Sequence, residues 1–184
     1  MLSILAAAAL QASSPSAPAS AHPFPEETEM HERIRKADAQ LFWAFFEGCD
    51  PALQAEVIHP DFRMVHDLEG LAIPNRDFML EQASERCEAR KPGGSSEGYS
   101  NRRLLVPGSR IIRRMGQWGA LEQGQHTFHE WRADKDGDSG EWEMTGGARY
   151  MHVWQWMPEE RRFRLLESLS YDHGAAQPYP PDLD

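Results

Sequence analysis

The sequence has few cysteines, little net basic charge and no long apolar run, and each shortage excludes a class of protein. Two cysteines in 184 residues are too few for a small disulfide scaffold or a cysteine-based zinc centre. A formal net charge of −10 argues against a nucleic-acid surface, which needs clustered lysine and arginine to displace counterions. The apolar run Leu2–Leu10 is too short to cross a bilayer as a helix, so we predict neither a nucleic-acid partner nor a membrane span.

Motifs for covalent or metal catalysis are also missing. The sequence contains no GxSxG, HExxH or HxxxH spacing, and neither cysteine has an evident base partner. The acidic run Asp134–Asp138 has its glycine at the fourth position, whereas an EF-hand loop needs it at the sixth, so the run predicts a turn. We therefore predict no metal and no cofactor.

The first 21 residues contain no charged side chain and predict a signal peptide. The apolar run is followed by small residues and by Ala19-Ser20-Ala21, which fits an A-x-A cleavage site, so the mature chain is expected to start near His22 in the periplasm or outside the cell. No lysine or arginine precedes the run; either the amino terminus supplies the positive charge or the true start lies upstream.

Export would permit a disulfide between Cys49 and Cys87, which both fall near predicted helix ends. A bridge requires Cα atoms within roughly 4.4–6.8 Å of each other, and sequence alone leaves that distance open.

Three helices are predicted in the first half of the mature chain. Residues 27–47 carry apolar side chains at steps of three and four, which is typical of a helix with one buried stripe: Met30, Ile34, Ala37, Leu41 and Phe45. Asp50-Pro51 begins a short second helix, with aspartate as the N-cap. Asn75 caps a third helix that runs to about Arg86.

Strands follow the short helix and fill the second half of the chain. Residues 61–67 alternate as a strand with a short partner at 71–73. Residues 102–106 and 110–114 flank Pro107-Gly108 and predict a hairpin, and residues 120–131 predict a further strand.

A long antiparallel hairpin is predicted from Ala148–Met157 and Phe163–Tyr171. Alternation places two rows on its faces, one with Tyr150, His152, Trp154 and Trp156, the other with Phe163, Leu165, Glu167, Leu169 and Tyr171. Since a core needs only apolar bulk, histidine and glutamate in these rows indicate a lined cavity.

Helices early and strands late indicate an α+β fold. We expect one domain, residues 22–173, with a curved antiparallel sheet wrapped over three N-terminal helices around a conical pocket, and a loose tail at 174–184.

The element order, together with the segments DFRMVH at 61–66 followed by Gly70, GQHTF at 124–128 and SYDH at 170–173, resembles the nuclear-transport-factor-2-like superfamily and, within it, the SnoaL-like branch. The resemblance covers about residues 29–173. It implies a cone-shaped α+β barrel and a homodimer formed through the open sheet face. The superfamily contains enzymes and non-catalytic binding domains alike, and the catalytic set of its ketosteroid isomerases has no equivalent here.

Three residues are candidate acid–base groups. His66 shares a strand face with two apolar residues, and His126 shares one with Phe128; either could instead be a core histidine. Glu167 lies in a row that should be buried, and burial would raise its pKa towards the range useful for acid–base catalysis. The alternatives for Glu167 are a salt bridge to Arg149 or Arg164, or a bulge that turns it outward.

The candidate ligand-binding residues are aromatic. A row of rings around an imidazole suits a flat apolar ligand with one polar group, although aromatic packing on a sheet would give the same pattern. The set comprises Phe128, Tyr150, His152, Trp154 and Tyr171. His129 is expected on the outer face. Asp172-His173 cannot form a triad by itself, because neighbouring strand residues face opposite ways, and it is expected to lock the terminus.

Two functions follow from these residues. The first is a binding domain for a small, mostly apolar molecule. The alternative is a cofactor-free isomerase, dehydratase or cyclase that uses histidine and glutamate for proton transfer.

Overall fold

The computed structural model describes residues 22–134 and 139–175. The predicted signal peptide, most of the acidic turn and the chain beyond residue 175 lie outside that range. In the described part, three helices and seven strands follow one another as α1 (Glu27–Phe46), α2 (Pro51–Val57), β1 (Ile58–His66), β2 (Gly70–Ile73), α3 (Arg76–Arg90), β3 (Asn101–Leu105), β4 (Ile111–Met115), β5 (Gly119–Ala133), β6 (Gly140–Met157) and β7 (Arg162–Ala175). None of these helices is both long and apolar enough to cross a membrane.

The three predicted helices are confirmed, although α3 is longer than predicted and α1 buries an aspartate in its apolar stripe. The stripe of α1 buries Met30, Ile34 and Leu41 against the sheet, and Asp38 is buried in the same stripe. Glu27 and Glu29 in the first turn stabilise α1, because their negative charges lie near the positive end of the helix dipole. Helix α3 continues to Arg90, four residues beyond the predicted end.

Both predicted helix caps are present. The Asp50 carboxylate accepts a hydrogen bond of 2.9 Å from the Leu53 N–H, and the Asn75 side chain accepts one of 2.9 Å from the Phe78 N–H. These bonds satisfy N–H groups that have no partner inside the helix, so the starts of α2 and α3 follow from local sequence.

The seven strands form one curved, unclosed sheet in the order β2-β1-β7-β6-β5-β3, with β4 also on β5. All neighbours are antiparallel except β1 and β7, which pair in parallel and make the sheet mixed. This pairing joins the first strand to the last, and it brings the ends of β1 and β7 together at one rim of the sheet.

The predicted hairpin around Pro107-Gly108 is wrong. Strands β3 and β4 do not pair with each other; both pair with β5, β3 against residues 126–130 and β4 against residues 119–123. The turn signal is real, but β5 is long enough to hold two short strands end to end along the same edge.

The predicted β6–β7 hairpin is confirmed, but the row assigned to β7 is wrong beyond Leu165. Val153 pairs with Glu167 and Trp154 with Leu165, so one extra residue of β7 bulges between them. The bulge reverses the alternation: Ser168 and Ser170 face inward, while Glu167 and Tyr171 do not.

The two cysteines form a disulfide. Cys49 and Cys87 lie with their Cα atoms 5.5 Å apart, within the range a bridge requires. The bridge joins the segment after α1 to the last turn of α3.

Candidate functional site

An apolar cavity of about 260 Å³ lies between helices α1 and α3 and the sheet. The helices supply only apolar side chains to its wall, including Leu41, Phe42, Phe45 and Phe46 of α1. Every polar lining residue that the described chain contributes comes from a strand: His66, His126, Tyr150, His152, Ser168, Ser170 and His173. A ligand in this cavity would contact apolar side chains on its helix side and hydrogen-bonding groups on its sheet side.

The structure brings five of the eight predicted site residues to the cavity wall. His66 comes from β1, His126 and Phe128 from β5, and Tyr150 and His152 from β6. Their shared position follows from the alternation of side chains along each strand, which was the basis of the prediction.

Three predicted site residues lie elsewhere. Trp154 is fully buried beside the cavity, and Tyr171 is 37% exposed on the other side of β7. Glu167 also points away from the cavity and pairs with Arg63 at 3.0 Å. The bulge in β7 explains the last two errors, and it corresponds to the alternative in which Glu167 turns outward.

A cluster of buried charges supports the strand side of the cavity. Asp38 of α1 accepts hydrogen bonds from Arg103 at 2.9 Å and from Arg110 at 2.5 Å. Arg110 also pairs with Glu122 at 3.0 Å. Two carboxylates thus balance two guanidinium groups, which is the condition under which charges can be buried without a large penalty.

Glu122 is fully buried and has two further donors. The Trp154 indole donates to it at 2.8 Å and the Tyr150 hydroxyl at 3.2 Å. Burial raises the pKa of Glu122, but its contacts with His152 and Arg110 lower it by more, so the group stays ionised. Burial and the charge of Glu122 raise the pKa of Tyr150, whose hydroxyl therefore keeps its proton.

His126 is held by the same cluster. Arg103 donates a hydrogen bond from Nε to His126 Nδ1 at 2.9 Å, and its Nη1 donates another to Asp38. Burial and the charge of Arg103 hold the pKa of His126 well below the ordinary histidine value. The imidazole is therefore neutral at physiological pH, which makes His126 a poor general base for this cavity.

The neutral state of His126 makes stability depend on pH. An unfolded histidine gains a proton below about pH 6.5, whereas the folded His126 gains one only at lower pH, so the free energy of unfolding should fall as the pH drops below about 6.5. One such group contributes at most about 1.4 kcal/mol per pH unit. Urea unfolding at several pH values gives the free energy of unfolding as a function of pH. That free energy should change less steeply with pH in His126→Phe than in the wild type. Parallel dependences would show that His126 gains its proton over the same pH range in the folded and unfolded chain.

A second network of hydrogen bonds lies at the rim of the sheet where β1 and β7 end. Asp67 Oδ1 is 2.6 Å from His173 Nδ1, and His173 Nε2 is 3.2 Å from the Ser170 hydroxyl. The Asp67 carboxylate also accepts the backbone N–H of His173 at 3.2 Å. Asp172 has a φ of 59°, a left-handed conformation that aspartate tolerates, and this break in the alternation turns His173 towards the cavity.

Asp67 fixes the orientation of the His173 ring. Partial desolvation of the Asp67 carboxylate would raise its pKa, but hydrogen bonds from the backbone and side chain of His173 outweigh that effect, and its pKa lies below the ordinary aspartate value. When neutral His173 directs its Nδ1 proton at Asp67, its lone pair is on Nε2, where it accepts a hydrogen bond from the Ser170 hydroxyl at the cavity wall.

His66 stacks on His173, with ring centroids 4.0 Å apart. Its Nδ1 accepts the backbone N–H of Leu68 at 3.2 Å, so neutral His66 carries its proton on Nε2. His129, by contrast, is outside the cavity wall and bonds to Thr127 at 2.9 Å.

Two groups of side chains in the described residues have the spacing of metal ligands. One is His66, Asp67 and His173, and the other is Asp38, Glu122 and His152. In the first, Asp67 and His173 bond directly to each other; in the second, Arg103 and Arg110 already neutralise the carboxylates. In the second group, Asp38 Oδ1 and His152 Nδ1 lie 3.8 Å apart and are buried without a hydrogen bond to any described residue.

Sequence reasoning missed the residues that support the histidines. Asp38 had a signal, since it falls within the apolar stripe of α1, four positions after Ile34. Glu122 had a similar one, in the buried alternation of β5. Arg103 and Asp67 had none, because their partners lie 23 to 106 positions away in the chain.

Comparison with known proteins gives a fold but no close relative. No family model matches the sequence, and no curated protein matches it. A nuclear-transport-factor-2-like superfamily protein from Salmonella enterica is 14% identical, with a TM-score of 0.58 over 85% of this chain and 99% of that one. This chain has the nuclear-transport-factor-2-like fold.

Two further structures of this fold are similar. A protein from Novosphingobium aromaticivorans described as nuclear-transport-factor-2-like is 13% identical, with a TM-score of 0.55 over 78% of this chain and 81% of that one. A candidate dehydratase of the nuclear-transport-factor-2-like family from Streptomyces avermitilis is 12% identical, with a TM-score of 0.54 over 78% of this chain and 95% of that one. At these identities the likeness concerns the fold alone.

Proposed function

We propose that this protein binds a small, mostly apolar molecule in the cavity under α1. The observation that carries the proposal is the division of the wall, with apolar side chains from the helices facing polar groups that come only from strands. A volume of about 260 Å³ suits a ligand of one or two rings.

Filling the cavity tests the binding function. Ser168→Phe places a ring on the inner face of β7, whereas Leu169→Phe places the same ring on the opposite face. Acetophenone, a one-ring ketone, serves as a probe in ligand-observed NMR. We expect Ser168→Phe to weaken its binding at least tenfold and Leu169→Phe to leave it unchanged. Equal binding by both variants would place the probe outside the cavity.

A second candidate function is cofactor-free proton transfer, and the Asp67–His173 pair favours it. His173 Nε2 would take a proton from the ligand, and the Asp67 carboxylate would stabilise the resulting imidazolium through Nδ1. Chemistry of this type would suit an isomerase, cyclase or dehydratase, and the similar fold of the candidate dehydratase from Streptomyces avermitilis is consistent with it.

Exchange of the methyl protons of acetophenone in D₂O measures such a base directly. A base removes a methyl proton, and a deuteron returns to carbon from solvent. We expect the protein to accelerate exchange and His173→Gln to reduce the acceleration by about 10²- to 10⁴-fold, the usual contribution of a general base. His129→Gln, outside the cavity, is the matched control. Acceleration that survives in His173→Gln would rule out His173 as the base.

The proposal also includes export and a homodimer. The Cys49–Cys87 disulfide supports an oxidising compartment, and exposed Leu104 and Ile111 supply apolar surface for a partner copy. Native mass spectrometry of protein from the periplasm of a bacterial host would test both. The expected species is a dimer of chains that begin near residue 22, and a co-purified small-molecule adduct would identify a ligand class.

A further inference from the structure

His126 ends a chain of hydrogen bonds that starts in helix α1. Asp38 holds Arg103 at 2.9 Å, and Arg103 holds His126 Nδ1 at 2.9 Å. The side chains of Asp38 and Arg103 are 1% and 3% exposed, so solvent cannot substitute for either contact. The orientation of the His126 ring is therefore fixed by buried groups on two other elements.

The Arg103 contact also determines where the His126 proton lies. A guanidinium group can only donate hydrogen bonds, so His126 Nδ1 must accept one. A neutral imidazole that accepts at Nδ1 carries its single proton on Nε2. His126 thus presents an N–H group and no lone pair at its free nitrogen.

That N–H group has no partner among the described residues. His126 Nε2 is buried without a hydrogen bond, and the neighbouring rings are those of Phe128 at 4.7 Å and Tyr150 at 5.1 Å between centroids. The Tyr150 hydroxyl is already bonded to Glu122. Buried N–H groups are paired in the great majority of cases, because leaving one unpaired destabilises the fold.

We propose that the ligand of this cavity is a carbonyl compound whose oxygen accepts a hydrogen bond from His126 Nε2. The inference rests on the proposed binding function and specifies its ligand class. His126 keeps its proton throughout and polarises the carbonyl, while Arg103 and Asp38 are positioning residues. His173 offers the complementary group, a lone pair on Nε2 that can take a proton from a carbon next to the carbonyl.

Acetophenone and α-methylstyrene form a matched pair of probes, because a C=O group replaces a C=CH₂ group in molecules of the same shape. The quantity to measure is the ratio of their dissociation constants, since burial affects both ligands alike. We expect the preference for the ketone to fall at least tenfold in His126→Phe, which keeps the ring and removes the donor. His126→Gln, which retains an N–H donor, should keep part of the preference, and His129→Phe should leave it unchanged.

The outcomes separate this inference from the proposed function. If neither probe binds the wild type, the binding function fails and the inference fails with it. If both probes bind and the ratio of their dissociation constants is the same in wild type and His126→Phe, the cavity binds ligands but the proposed carbonyl contact is wrong. The His126 N–H would then face a neighbouring aromatic ring.

Nitrogen-15 NMR of the wild type gives a readout that needs no variant. We expect His126 to show the tautomer with the proton on Nε2, and we expect that signal to shift with acetophenone but not with α-methylstyrene. A proton on Nδ1, or equal shifts with both probes, would overturn the inference even if His126→Phe fails to fold.

Discussion

Asp38→Ala should lower the free energy of unfolding by about 3–5 kcal/mol, the cost typical of removing one partner from a buried ion pair. Asp38 is 1% exposed and accepts from both Arg103 and Arg110. Without Asp38, Arg103 loses its carboxylate partner and stays buried and charged. Urea unfolding followed by circular dichroism measures the loss.

Asp61→Ala is the matched control for that experiment. The Asp61 side chain is 86% exposed, and its closest ion pair, to His59, is 3.8 Å long. We expect a change within about 0.5 kcal/mol, as for other surface substitutions. A loss of similar size in both variants would mean that the cluster around Asp38 does not stabilise the fold.

The second large effect concerns the disulfide. Replacing Cys49 and Cys87 together by serine should cost about 2–4 kcal/mol, because the bridge closes a loop whose ends are 38 residues apart in sequence and so restricts the unfolded chain. The double variant avoids a free thiol that could pair with another chain. Thermal unfolding of the oxidised wild type, the reduced wild type and the variant provides the comparison.

Reduction of the wild type should match the double variant. If the reduced wild type is as stable as the oxidised protein, the bridge contributes nothing to stability. If only the variant is destabilised, the serine substitutions themselves perturb the packing between the end of α1 and α3.

The same cluster that makes Asp38 sensitive to mutation also builds the candidate site. Arg103 ties His126 to α1, and Glu122 ties Tyr150 to Trp154 and Arg110. Substitutions in the cluster should therefore alter ligand preference and stability together, whereas His173, at the rim of the sheet, should affect proton transfer with little change in stability.

Elements with strong local signals could be predicted from sequence. The apolar stripe of α1, the caps at Asp50 and Asn75, and the alternation in β6 all act over a few residues, and each is confirmed. The β3–β4 hairpin was wrong because the turn at Pro107-Gly108 does not specify which strand each neighbour pairs with; β5 outcompetes the local partner.

The site was predictable only where strand alternation is unbroken. His126, Tyr150 and His152 reach the cavity as their rows indicated. Glu167 does not, because the bulge opposite Val153 inserts one residue, and nothing in the local sequence distinguishes a bulged strand from a regular one.

The sequence by itself determined the helices, the long hairpin, the α+β class and five of the side chains that line the cavity, since short-range periodicity decides each of them. Tertiary structure alone decided the chemistry of those side chains. The tautomer of His126 depends on Arg103, the orientation of His173 depends on Asp67, and the exclusion of Glu167 depends on strand register. The protonation state and the orientation of a side chain depend on the polar groups that the fold brings within about 3 Å of it, and those groups are distant in the sequence.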